Sequence, residues 1–168
     1  NPLTARVIVN RVWQHHFGEG LVATENDFGV RGTAPTHPEL LDWLACRLVE
    51  NGWSVKWLHR LILSSETYRL SSTFDAAAAG VDPDDTLLWR FRRRRLSAEE
   101  IRDSLLVLGG TLDQAPAEGH PFPPVAAWDF SQHQPFAGVS DTLKRSVYLM
   151  TPRLGRHPLL ALFDGADA

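Results

Sequence analysis

Apolar residues recur at helical spacing from the start of the chain. Between Pro2 and His16, the residues Ala5, Ile8, Val9, Val12, Trp13 and His16 fall on one face, with Thr4, Arg11 and His15 opposite. Asn1 ahead of Pro2 suits the beginning of this helix: a capping side chain precedes a proline whose missing N–H costs nothing at the first helical position. Leu3, Val7 and Phe17 widen the apolar arc almost round the cylinder, so the helix is expected to be central. Gly18 and Gly20 end it, and a loop follows as far as Thr36.

Thr36-His37-Pro38-Glu39 has the form of a capping box and predicts a second helix. Leu40, Leu41, Leu44, Ala45, Leu48 and Val49 form its apolar arc, Asp42, Cys46 and Glu50 its solvent face, and Asn51-Gly52 its stop. Ser54 caps a third helix with Val55, Leu58, Leu61, Ile62 and Ser65 on one side. Together these make an αα-hairpin over Thr36 to Tyr68. Residues 71–85 read as a surface excursion. Leu87 to Leu96 alternates aromatics with arginines and predicts a short strand, and Ser97-Ala98-Glu99-Glu100 opens a helix to about Leu108. Residues 114–135 contain Pro116, Pro121, Pro123 and Pro124 and predict a long proline-rich loop. Arg145 to Met150 alternates like a half-buried strand able to pair with Leu87 to Leu96, and Leu159 to Phe163 predicts a last short helix. The expected fold is mainly α: one helical domain over residues 1–168, its hairpin packed on a central N-terminal helix, plus a short two-stranded antiparallel β element.

Composition narrows the function more than it defines it. A chain of 168 residues has room for one sizeable core, and its six tryptophans should dominate the packing. A formal net charge of -3 supplies no field that would gather nucleic acid. Arg90 and Arg92 to Arg95, with Trp89 and Phe91, are the one basic and aromatic concentration, and its arginines are expected to pair with carboxylates such as Asp103, Glu99 or Asp42 or to be solvated. Cys46 is the single cysteine, which excludes an internal disulfide and any multi-cysteine metal site. No apolar run is long enough for a membrane span. Because the chain opens on Asn1 without an initiator Met, it reads as an excised piece of a longer protein.

Several longer segments together resemble a known family. They are Asn1 to Trp13, then His16-Phe17-Gly18-Glu19-Gly20-Leu21-Val22, Asp27-Phe28-Gly29, Thr36 to Leu44, Arg94 to Asp103, and Arg145-Ser146-Val147-Tyr148-Leu149. The pattern is similar to a planctomycete-type domain of unknown function, found in large proteins that often carry a cytochrome c domain upstream. The resemblance spans nearly the whole chain apart from residues 74–82 and the proline-rich loop. It implies a periplasmic or exported multidomain protein, with the other domains of the same polypeptide as partners and haem confined to an upstream domain. No Cys-x-x-Cys-His occurs here, so no cofactor is expected in this segment itself. Against the family pattern, the resemblance implies that the chain stops short of a C-terminal segment.

Two groups of residues are the candidates for chemistry. Arg6, Asn10, His15 and His16 on the first helix, with Asp27 in the following loop, could hold a histidine against a carboxylate as acid, base or ligand. The position of His16 on the apolar face favours a structural histidine instead, with Arg6 and Asn10 in a buried polar network beside Trp13. Trp128, Asp129 and His133 in the proline-rich loop could present stacking and polar groups to a sugar or a partner surface. No metal is expected: adjacent histidines diverge by about 100° on a helix, and no zinc-binding spacing occurs among His15, His16, His37 and His59. Asp27-Phe28-Gly29 lacks the rest of a kinase signature and reads as turn chemistry. The residues thus point first to a noncatalytic structural or interaction module. The alternative is a carbohydrate-binding or carbohydrate-processing domain, with polysaccharide as its partner and a cleft between the proline-rich loop and the first helix.

Overall fold

A computed structural model describes residues 1–118, 126, 129–130, 133, 142–150 and 157–165. Six α-helices are seen among them: α1 (Pro2–Phe17), α2 (Pro38–Glu50), α3 (Val55–Leu63), α4 (Ala76–Val81), α5 (Ala98–Leu108) and α6 (Pro158–Leu162). Short 3-10 turns cover Thr67–Arg69 and Ser146–Tyr148. The protein is therefore mainly helical. Its chain gathers into two compact units, Asn1–Arg94 and Arg95–Ala168.

The first unit is built on α1, as the periodicity predicts. Asn1 accepts a hydrogen bond from the Leu3 amide, Pro2 occupies the first turn, and Gly18 closes the other end at φ 87, a left-handed conformation open to glycine. The helix packs on both α2 and α3. Ala5, Val9, Val12, Trp13 and Phe17 join Leu21, Val22, Leu41, Leu44, Ala45, Leu48, Leu58 and Ile62 in one core. The apolar arc does not close round the cylinder, however, because Leu3 is about half exposed.

The start of α2 differs from the expected capping box. Its N-cap is His37, which makes no side-chain cap bond. The reason is Pro38. A residue before proline is held away from helical dihedrals, and His37 sits at φ -132 and ψ 78, so it cannot be a first helical residue after a Thr36 cap. Thr36 ties down the loop instead: its amide and its hydroxyl both donate to the Leu21 carbonyl. Ser54 caps α3 as expected, accepting from the Trp57 amide.

The excursion at 71–85 contains α4, nucleated by Asp75, whose carboxylate accepts from the amides of Ala77 and Ala78. The expected strand pair is not found among the described residues. From Leu87 onward the backbone is irregular, and its donors are already engaged. Asp82 takes the amides of Thr86 and Leu87, while Asp85 takes those of Trp89 and Arg90. Asp85 and Leu88 also adopt positive φ, which no strand tolerates.

In the second unit the Ser97 capping box forms in full: Ser97 accepts from the Glu100 amide and Glu100 accepts from the Ser97 amide. Arg145 to Met150, expected as a strand, turns through 3-10 geometry at Ser146–Tyr148. The Ser146 amide and hydroxyl are both captured by Asp103, at 2.7 and 2.6 Å. A single bridge, Asp113 to Lys144, is the remaining β-type pairing among the described residues. Ala98, Leu149 and Leu160 form this unit's small core.

Candidate functional site

α1 carries most of the first candidate cluster, and the structure disperses that cluster among separate partners. Arg6 points to α2, where its Nε donates to Asp42 at 2.5 Å. Hydrogen bonding to Arg6 holds the Asp42 carboxyl below its ordinary range. Asn10 is fully buried. Its Nδ2 donates to the Val22 carbonyl at 3.0 Å and its Oδ1 accepts from the Val22 amide at 2.8 Å. One amide side chain thereby satisfies both backbone groups of a residue in the loop after α1, much as a strand partner would.

Asp27 caps its own turn, accepting from the Gly29 amide at 2.8 Å, and Thr24 donates to the Asp27 carbonyl. His16 finds an imidazole as its partner. Its Nε2 lies 2.7 Å from Nδ1 of His59 on α3, and its ring meets the edge of Tyr68 with centroids 5.6 Å apart. Burial lowers the His16 pKa below its ordinary value, and the neighbouring charges of His59, His15 and Arg94 push it the same way. Arg6, Asn10, His16 and Asp27 thus engage four different partners.

A polar cleft of about 580 Å³ opens beside the last turn of α1, lined by Arg11, Gln14, His15, Glu25, Asn26 and Arg94. Arg11 donates to Asn26 across it. No nucleophile with a positioned base lines the cleft, and no group of three or more metal-ligating side chains occurs among the described residues. Of the second candidate group, Asp129 and His133 are exposed, and Trp128 lies outside the described residues.

Two buried charged centres escaped the sequence reading. Asp85 is 1% exposed; Arg92 Nε reaches it at 3.3 Å, and Arg92 Nη1 bonds Glu19 at 2.5 Å. Trp89 and Phe74 flank the neighbouring Arg90, whose guanidinium lies over both rings. Asp85 and Arg92 also line a small pocket of about 50 Å³ with Trp13, Glu19, Leu21 and Thr36. In the second unit, buried Arg102 donates to the carbonyls of Lys144 and Thr142 and to the Ser146 hydroxyl. Within the arginine run, Arg92 pairs with Asp85 and Glu19 and Arg95 with Asp164, carboxylates other than the expected Asp103, Glu99 and Asp42, while Arg93 bonds the Ser72 hydroxyl. Among the carboxylates expected to serve that run, Asp42 is used by Arg6 and Asp103 by Ser146.

A family model described as PSD1, protein of unknown function (DUF1553), matches residues 1–168. The chain belongs to that family. The match covers both compact units in one stretch. No curated protein and no solved structure matches the chain.

Proposed function

We propose that this PSD1 chain is a noncatalytic interaction module of a larger multidomain protein. The observation that carries this reading is the dispersal of Arg6, Asn10, His16 and Asp27 into separate structural contacts. Groups that would have to converge on a substrate hold helices and turns instead. An interaction role also accounts for the surface of the α2–α3 hairpin. Trp43 and Trp53 are nearly half exposed, and the Arg47 guanidinium lies 5.6 Å above the Trp43 ring. Tryptophan and arginine are the side chains that most often dominate binding energy at protein interfaces.

Calorimetric titration of the purified protein with the adjoining domains of its own polypeptide tests the reading. Binding is expected, and Trp43→Ala or Trp53→Ala should weaken it by about tenfold or more, the effect of an interface residue worth roughly 1.4 kcal/mol. Saturable binding of an oligosaccharide that is lost on Arg94→Ala would overturn the proposal in favour of a ligand site in the polar cleft.

A further inference from the structure

The last turn of α1 is fastened to α3 by two facing imidazoles. His16 Nε2 and His59 Nδ1 are 2.7 Å apart, and the rings stand at 76° to each other. So short a separation requires one hydrogen between the two nitrogens, with one ring donating and the other accepting. Counting protons over the four ring nitrogens sets what the pair can hold. The neutral pair carries one shared proton and one on the outer nitrogen of the acceptor ring. A further proton goes to the outer nitrogen of the donor ring and leaves the shared bond intact. The next can go only to a facing nitrogen, where two N–H groups meet head-on and the bond is lost.

The surroundings oppose that last proton. His16 is partly buried, Tyr68 stands perpendicular to it, and the neighbouring charges of His59 on α3, His15 on its own helix and Arg94 are positive. We propose that His16 and His59 form an acid-operated clamp between α1 and α3, closed while one proton is shared and released when both facing nitrogens are protonated. Below the clamp, Tyr68 contacts Phe17 and Phe91 edge-on, with centroids 5.9 and 5.2 Å away. Release removes the imidazole bond and leaves these ring contacts in place at the 3-10 turn of Thr67–Arg69.

The sign of the pH dependence follows from proton counts. Because the folded pKa of His16 is depressed, the unfolded chain binds more protons between the folded and ordinary histidine values. Stability is complete above the ordinary range and falls as pH drops through that interval. The carboxyls of Asp42 and Asp113 are themselves held low by Arg6 and Lys144, so they titrate below the same window.

Two measurements test the clamp. NMR titration of the wild-type imidazole protons should show the two rings titrating in coupled steps, the lower one below the ordinary histidine range; independent titration of both rings at ordinary values would overturn the proposal. Urea melts at about pH 7.5 and about pH 5 should show a loss of stability in the wild type that shrinks in His59→Gln, whose side chain can hydrogen-bond without titrating. Equal losses in the two proteins would sink the clamp, and if the variant does not fold the NMR titration alone decides.

Discussion

Asn10 shows how one side chain can hold a loop that has no secondary structure of its own. With Val22 bonded at both its amide and its carbonyl, truncation would strand two buried backbone groups. Each costs roughly 1–3 kcal/mol when left unsatisfied, so Asn10→Ala should lose at least about 2 kcal/mol in urea melts. Asn10→Asp separates the two bonds, because it keeps the acceptor for the Val22 amide but sets a carboxylate oxygen against the Val22 carbonyl. It should be at least as damaging as alanine, although nearly isosteric. Gly20 belongs to the same arrangement: a Cβ there would lie 2.6 Å from Asn10 Nδ2 and 2.7 Å from the Val22 carbonyl. The sequence pointed to Asn10 as a member of a buried polar network with Arg6 beside Trp13, but its partner is a backbone twelve residues away and leaves no side-chain signature.

Trp13 and the arginines after Trp89 allow a second comparison. Trp13 is 5% exposed and stacks on Phe17 with centroids 4.2 Å apart. Trp13→Ala should cost about 3–5 kcal/mol, as large aromatic truncations in a core do. Arg93→Ala and Arg95→Ala should lie within about 1 kcal/mol of wild type, since the bonds they make are solvent-exposed. Arg92→Ala is the exception in the run at roughly 1.5–3 kcal/mol, because it removes a charged donor from buried Asp85. Thermal or urea unfolding of the four variants checks the order, and an Arg92→Ala loss no greater than that of Arg95→Ala would refute the role given to Asp85.

At the scale of elements, periodicity and local capping determine the structure where both act within a few residues. α1, α3 and α5 begin where their caps stand, and in α1 and α3 the buried positions follow the helical repeat, whereas on α5 Ala98 and Arg102 are buried and Leu105 and Leu108, the expected apolar face, are exposed. Ser97→Ala should therefore cost about 1 kcal/mol and Ser97→Gly less, a difference visible in thermal melts. Errors arose where a neighbouring residue changed the meaning of a pattern. Pro38 moved the α2 cap from Thr36 to His37, and the aspartates ahead of Leu87 consumed the amides that an alternating strand needs. Trp53 adds a backbone demand that no periodicity reveals. It sits at φ 61 after Gly52, with its amide bonded to the Leu48 carbonyl. Glycine adopts that conformation without the steric cost that alanine pays, so Trp53→Gly should be more stable than Trp53→Ala by about 1 kcal/mol, while both lose the exposed ring proposed to engage a partner.

Over the whole molecule, apolar burial is unevenly divided. Thirteen buried apolar side chains form the core of the first unit and three form that of the second, among the described residues. The pattern of hydrophobic positions placed the larger core correctly, because α1, α2 and α3 are close in sequence and each shows a clear apolar face. It could not show how the later segments are held, since Arg102, Asp103 and Ser146 meet across more than forty positions through polar bonds to a 3-10 turn. This imbalance leads us to expect that residues 1–94 fold alone, since a domain of that length can bury enough surface to be stable without help. Their charged centre, Asp85 with Arg92 and Glu19, is also complete within the same residues. Expressed separately, residues 1–94 should give a helical circular-dichroism spectrum and a cooperative urea transition, and Asn10→Ala should destabilise the fragment as much as it does the full chain. A fragment that is unfolded, or whose transition ignores Asn10→Ala, would mean that the α1–α2–α3 core does not sustain itself.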